Sequence, residues 1–249
     1  MTIRLLEATL FLIGKNSSNK EQSFSQFCFM KALFYAAAFL ALLTDEKIVG
    51  ADPLPSDLPA PNENAVETIV FLRHGEKPEK EIGQINCQGL NRALALPRVL
   101  TSKYGKPDYI FAPAAAKMSK LVGSYDYLRP LATIEPTAIE LGMPVNTNYA
   151  YTDIKGLRSE LTEKKYRAAL IFVAWEHHQL EDLVKRLVSD FHGDPETVPH
   201  WKGKDFDSLY VVRITTHDST KSISFTQDQE GLSNLSTDCP EEKVRAVTN

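Results

Sequence analysis

The chain has 249 residues, 43% hydrophobic and 24% charged, with a formal net charge of -4. That size and balance give a globular chain room for one domain of about 200 residues with a full core of its own. They exclude a nucleic-acid binder that works through a basic face, so an anionic ligand would need a local positive pocket rather than a global field.

The first fifty residues stand apart. Met30-Lys31 leads into the apolar run Ala32–Leu43, and the small residues Val49 and Ala51 precede Asp52 at the spacing of a cleavage site. A basic start, a short apolar core and a small-x-small exit describe a secretory signal peptide over residues 30–51. The run is shorter than the roughly 20 residues a membrane span needs. The alternative, an uncleaved anchor over Phe27–Leu43, is interrupted by Lys31. Residues 1–51 are therefore expected to be an N-terminal extension plus signal peptide, with translation beginning naturally at Met30. The mature chain is expected in the periplasm or outside the cell, with no membrane span after cleavage. Residues 52–64 carry Pro53, Pro55, Pro59 and Pro61 and read as an extended leader. A domain over 65–230 follows, then a polar, loosely held tail over 231–249. Cys87 and Cys239 remain after cleavage. An oxidising compartment permits a bridge between them, but their distance in sequence leaves the pairing open.

Within the domain, strands and helices alternate. Thr68–Leu72 reads as a short strand buried on both faces. Leu90–Leu100 has helical spacing after Gly89, with Pro97 expected to kink or shorten it. Tyr109–Ala112 is a further strand. Pro130–Leu141 is expected to be helical in part, interrupted at Pro136 and ended by Gly142. Ala168–Trp175 is another buried strand, and Gln179–Phe191 an amphipathic helix. Leu209–Thr215 and Ser222–Phe225 read as late strands, a hairpin around His217–Lys221. The alternation predicts a three-layer α/β/α domain with a mainly parallel sheet, whose ligands bind at the carboxyl ends of the strands.

Two of those ends carry bases. The first strand runs into Arg73-His74-Gly75-Glu76, and the strand at 168–175 runs into Glu176-His177-His178. Arginine presents a planar fork suited to phosphate, and neutral imidazole is a good nucleophile towards phosphorus. Gly75 permits close backbone approach or positive φ. Fixed cations around a phosphoryl group in flight stabilise its spread charge, so the set points to phosphoryl transfer through a phosphohistidine. A metal site is the competing use, but HExxH, HxH and paired-carboxylate patterns are lacking. A surface turn at 73–75 and a favourable charge from Glu176 at the N-terminus of the following helix are the structural alternatives.

The stretch FLRHGE resembles the signature of the histidine phosphatase superfamily, whose fold is phosphoglycerate mutase-like. QGLNRALALPRVL, YLRPLATIEPTAIELGMPVN and LIFVAWEHHQL resemble, in order, three later segments of that family, the last in a branch reading WEH. The resemblance covers Glu67–Phe191. It implies His74 as the phosphorylated nucleophile, Arg73 and Arg129 as phosphate-binding residues, and His177, preferred over His178, as the second catalytic histidine. It implies a general acid beyond the second arginine, for which Asp153 is the candidate; Glu76 and Glu176 are nearby carboxylates open to structural roles. The segment before Arg129 departs from the family's SPLxRxxQT-like run. The expected function is hydrolysis of a small-molecule phosphate monoester without metal or cofactor and without nucleic acid. A phosphate-binding module that does no chemistry and a phosphomutase are the alternatives. Neither the natural substrate nor the oligomeric state follows.

Overall fold

The computed structural model describes residues 64–80, 82–115, 125–218 and 220–240. The N-terminal extension, the signal peptide, nearly all of the leader and residues 241–249 lie outside the described residues. Among the described residues, no helix is long and apolar enough to cross a membrane.

Strand β1 (Asn64–Arg73) is the centre of a five-stranded sheet in the order β2-β3-β1-β4-β5. Its partners are β2 (Tyr109–Phe111), β3 (Leu170–Trp175), β4 (Ser208–His217) and β5 (Thr220–Gln229). The strands β2, β3 and β1 are parallel, whereas β1–β4 and β4–β5 are antiparallel. The expected parallel sheet is thus the trio β2-β3-β1 on one side, extended beyond β1 by the expected late hairpin. β1 is longer than its apolar stretch because Asn64–Glu67 pair with β4 before β3 begins.

Both faces of the trio are buried, so its strands lack polar alternation. Ile69, Phe71, Ile171, Val173 and Trp175 pack against helices α3 (Ile154–Leu161) and α4 (His177–Asp190). Val70, Leu72, Phe172 and Ala174 pack against α1 (Cys87–Tyr104) and α2 (Arg129–Leu141). These are the three layers.

The expected shortening at Pro97 and the expected interruption at Pro136 need correction. α1 continues through Pro97 to Tyr104, and α2 continues through Pro136 to Leu141. In each helix the buried stripe runs on past the proline: Leu96 and Leu100 in α1, Ile134 and Ala138 in α2. Packing there outweighs a local penalty of about 3 kcal/mol. Gly142 does end α2, with φ 63 and its N–H turned back to Ala138 and Ile139. α3 has no counterpart among the expected elements, and α4 starts at His177 because Glu176 caps it.

The tail expectation also needs correction for the described residues 231–240. Gln229 closes β5, Glu230 is buried, and the following residues lie along α1. Gln88 donates to the Leu235 carbonyl, and Asn91 to those of Ser236 and Asp238. Cys87 and Cys239 form a disulfide with Cα atoms 4.5 Å apart. Closing a loop this long restrains the unfolded chain by roughly 3–5 kcal/mol. Polar composition alone suggested a loose segment; side-chain donors on α1 satisfy its backbone instead.

Glu67 is buried on β1, and its Oε1 has no hydrogen-bond partner among the described residues. Burial pushes its carboxyl up to about 8, against the pull of Lys221. Below the ordinary value of 4.5 both folded and unfolded chains are protonated at this site. As pH rises towards 8 the unfolded chain releases the proton first, so stability is lost across that window. Glu67→Gln should gain about 2 kcal/mol over the parental protein at pH 8 and almost nothing at pH 4.5. Urea midpoints at the two pH values check this; an equal shift at both would refute it.

Candidate active site

The register of the sheet assembles the site. Arg73 pairs with Trp175 at the ends of β1 and β3, and the His74 N–H donates to the Trp175 carbonyl at 3.0 Å. The two basic motifs therefore leave the sheet side by side, at the carboxyl ends of parallel strands. Helix α2 brings Arg129 as its first residue. The backbone N–H groups of Leu128 and Arg129 both donate to Gly83. Thr133, one turn on, donates to the Arg129 carbonyl and accepts from the Gly75 N–H, both at 2.8 Å. Thr133 thus ties the loop after β1 to the helix that carries the second arginine. Gly75 is required by close approach rather than by φ: a Cβ there would lie 2.9 Å from the Cα of Gly89.

His74 is 2% exposed. Its Nδ1 lies 2.8 Å from the Gly75 carbonyl oxygen. A carbonyl only accepts, so Nδ1 carries the proton and Nε2 the lone pair. Burial lowers its pKa to about 3; Arg129 and Arg73 add to this, while the Gly75 bond and Glu176 oppose it. The ring is therefore neutral at physiological pH. Tyr127 stands edge-on to it at 6.2 Å and Phe206 tilted at 6.1 Å, centroid to centroid.

Arg73 is also buried. Its Nη1 donates to the carbonyls of Gly203 and Asp205, each at 2.9 Å, and its guanidinium carbon lies 3.9 Å from the Phe206 ring centroid. Its Nε has no partner among the described residues. Burial lowers its pKa to about 10, against Glu176, Tyr127 and Asp205, so it remains a cation at neutral pH. The guanidinium of Arg129 lies 4.7 Å from the Tyr127 ring centroid.

His177 is the first residue of α4 and is 8% exposed, whereas its rival His178 is exposed. The His177 Nδ1 is 2.7 Å from Glu176 Oε1, an ion-pair distance without hydrogen-bond alignment. Glu176 Oε2 accepts from the Gln179 N–H and caps the helix. Burial alone would raise the Glu176 carboxyl, but the His177 ring and the N–H groups of Gln179 and His178 outweigh it and hold it near 2. Glu176 is then a carboxylate, not a proton donor. Glu76 is held by Arg92, at 2.7 Å and 3.0 Å through both oxygens. Asp153 is exposed and accepts from the Gly156 N–H as the cap of α3.

Among the described residues, the ligand atoms of Glu176, His177 and His178 lie within 4.8 Å of one another and could hold a metal ion. The helix cap already engages one Glu176 oxygen and His177 lies against the other, so coordination would compete with both.

Several participants were absent from the sequence reading: Tyr127, Thr133, Phe206 and Arg92. Thr133 was within reach, one helical turn after Arg129. Arg92 was too, as a lone arginine on the stripe Gly89, Ala93, Leu96. Phe206 and the carbonyls that hold Arg73 belong to an irregular loop with no periodic signal.

No family model matches the chain, and no curated protein matches it. Solved structures do. A mycobacterial glucosyl-3-phosphoglycerate phosphatase in complex with inorganic phosphate is 12% identical, covering 64% of this chain and 95% of its own, with a TM-score of 0.44. A phosphoglycerate mutase from Bacillus anthracis is 11% identical, covering 66% and 94%, with a TM-score of 0.42. A phosphoserine phosphatase mutant from Entamoeba histolytica in complex with phosphoserine is 9% identical, covering 67% and 98%, with a TM-score of 0.38.

Proposed function

We propose that the protein is a phosphomonoester hydrolase of the histidine phosphatase type, working through a phosphohistidine on His74. The observation that carries this is the tautomer of His74: a neutral ring, proton fixed on Nδ1, lone pair on Nε2, between two buried arginines. In this mechanism Nε2 attacks phosphorus and the bond to the leaving oxygen breaks. Water then attacks phosphorus, the N–P bond breaks, and His74 and inorganic phosphate are released. Arg73 and Arg129 hold the phosphoryl oxygens, and His177 completes the pocket. Asp153 is the carboxyl proposed to protonate alkyl leaving oxygens; aryl leaving groups depart as anions and need no such acid.

The test is hydrolysis of p-nitrophenyl phosphate with excess chelator, together with a search for an acid-labile, base-stable phosphoryl group on His74. Chelator-resistant turnover and a label on His74 are expected. Turnover that chelator abolishes would move the chemistry to a metal held by Glu176, His177 and His178. Phosphate binding without turnover of any ester would leave a binding module.

Export is proposed alongside. The signal-like segment over 30–51 and the Cys87–Cys239 bridge both suit an oxidising compartment. The check is N-terminal sequencing of the protein from its native source, with Asp52 expected first and any residue of 1–29 counting against it.

A further inference from the structure

Tyr127 has no role in the reading above, yet it stands inside the site. The residue is 0% exposed, and its hydroxyl has no hydrogen-bond partner among the described residues. Leaving a buried hydroxyl unpaired costs roughly 1–3 kcal/mol. Phenylalanine would fill the same volume without that cost, so packing alone does not account for the oxygen.

Its surroundings do. The ring stands at 88° to His74 with centroids 6.2 Å apart. The groups acting on the hydroxyl are Arg129, whose guanidinium comes near it without the alignment of a hydrogen bond, then Glu176 and Arg73; the same three charges act on His74. Two of them are the cations assigned to phosphate. Behind the ring, Tyr151 packs at 5.0 Å, and its carbonyl accepts from the Trp175 indole N–H at 2.8 Å. Tyr127 is thus braced against the end of β3, the strand that delivers Glu176 and His177. Burial also pushes the phenol above its ordinary value, so it keeps its proton and remains a donor.

We propose that the Tyr127 hydroxyl donates a hydrogen bond to a non-bridging oxygen of the phosphoryl group as it passes to and from His74 Nε2. Tyr127 is then a third phosphate donor beside Arg73 and Arg129, and the only neutral one of the three. A neutral donor adds a directed bond without adding charge to a pocket that already holds two guanidinium groups. This rests on the phosphohistidine reading. It explains why the orphan hydroxyl persists: its partner is the substrate.

The experiment compares Tyr127→Phe with the parental protein. The readouts are melting temperature, affinity for inorganic phosphate by calorimetry, and kcat/KM on a series of aryl phosphates of differing leaving-group pKa. The variant should melt no lower than the parent, because it loses only an unpaired oxygen. Phosphate affinity should fall about ten-fold, and kcat/KM about 10- to 100-fold by the same factor for every leaving group. Values within two-fold of the parent in both would overturn the proposal. So would a loss confined to poor leaving groups, which would place the hydroxyl on the leaving oxygen. A parental protein that neither binds phosphate nor turns over an ester removes the phosphohistidine reading and this proposal together. A parental protein that does both, beside an unchanged variant, removes only the role of Tyr127.

Discussion

His74→Ala is expected to lower turnover of an aryl phosphate by at least about 10³-fold while leaving phosphate binding within a few-fold of the parent. The nucleophile is lost, but Arg73 keeps its bonds to the carbonyls of Gly203 and Asp205, and its guanidinium stays in place. A binding pocket therefore survives the loss of chemistry. Turnover that survives as well would remove His74 as nucleophile. The same residue sets a pH signature. With its pKa lowered to about 3, His74 keeps its Nε2 lone pair far below the ordinary value of 6.5. The rate should show no acid limb from His74 between about pH 4 and 7. Stability carries the opposite sign. At pH values above 6.5 the ring is neutral in both folded and unfolded chains. As pH falls below that, the unfolded chain takes up a proton that the folded chain refuses until about 3, so the fold is destabilised by acid. His74→Ala should then resist acid unfolding better than the parent, in the same window where it has lost activity.

The chemistry was legible because it lies where two periodic signals stop. Val70–Leu72 and Ile171–Trp175 are apolar without alternation, and each run ends in bases; burial on both faces demands the first and a strand exit permits the second. Their adjacency was not legible, since it depends on β1 and β3 being neighbours in register, Arg73 opposite Trp175. The late hairpin was legible from its polar turn, but its placement against β1, which makes the sheet antiparallel there, was not. Local rules failed where tertiary packing is stronger, at Pro97 and Pro136, each flanked on both sides by residues of the core. They failed again at the tail, whose polar residues are held by donors from a helix far away in sequence. The helix start at His177 was missed because Glu176 was weighed as a charge near a helix rather than as its cap. The general acid was not legible beside the histidines for a related reason. Glu76 and Glu176 stand closest to the histidines in sequence, and each is engaged by a positive or N–H partner.

Arg92→Ala is expected to cost about 3–5 kcal/mol and to damage the site it never touches. The residue is 1% exposed, and its side chain binds four groups. Its Nε and Nη2 hold Glu76, its Nη1 pairs with Glu230 and lies 3.5 Å from Asp207, and its Nη2 also donates to the Leu232 carbonyl at 3.1 Å. One guanidinium therefore fastens the loop after β1, the start of β4 and the end of β5. Removing it strands Glu230, which is fully buried as a side chain. Burial already raises the Glu230 carboxyl to about 8 despite Arg92, and without that cation it can only go further up. The variant should therefore unfold most easily above pH 8 and recover towards pH 5, where Glu230 accepts a proton. Adding Glu230→Gln should restore part of the loss at high pH and little at low pH, because it supplies the neutral form permanently. Turnover should fall in both, since Glu76 is released in both and His74 lies two residues before it on the same loop. Urea unfolding at pH 5 and 8, with kcat measured on the folded fraction, separates these effects. A loss below about 1 kcal/mol at both pH values would mean that the network is not what holds the three segments together.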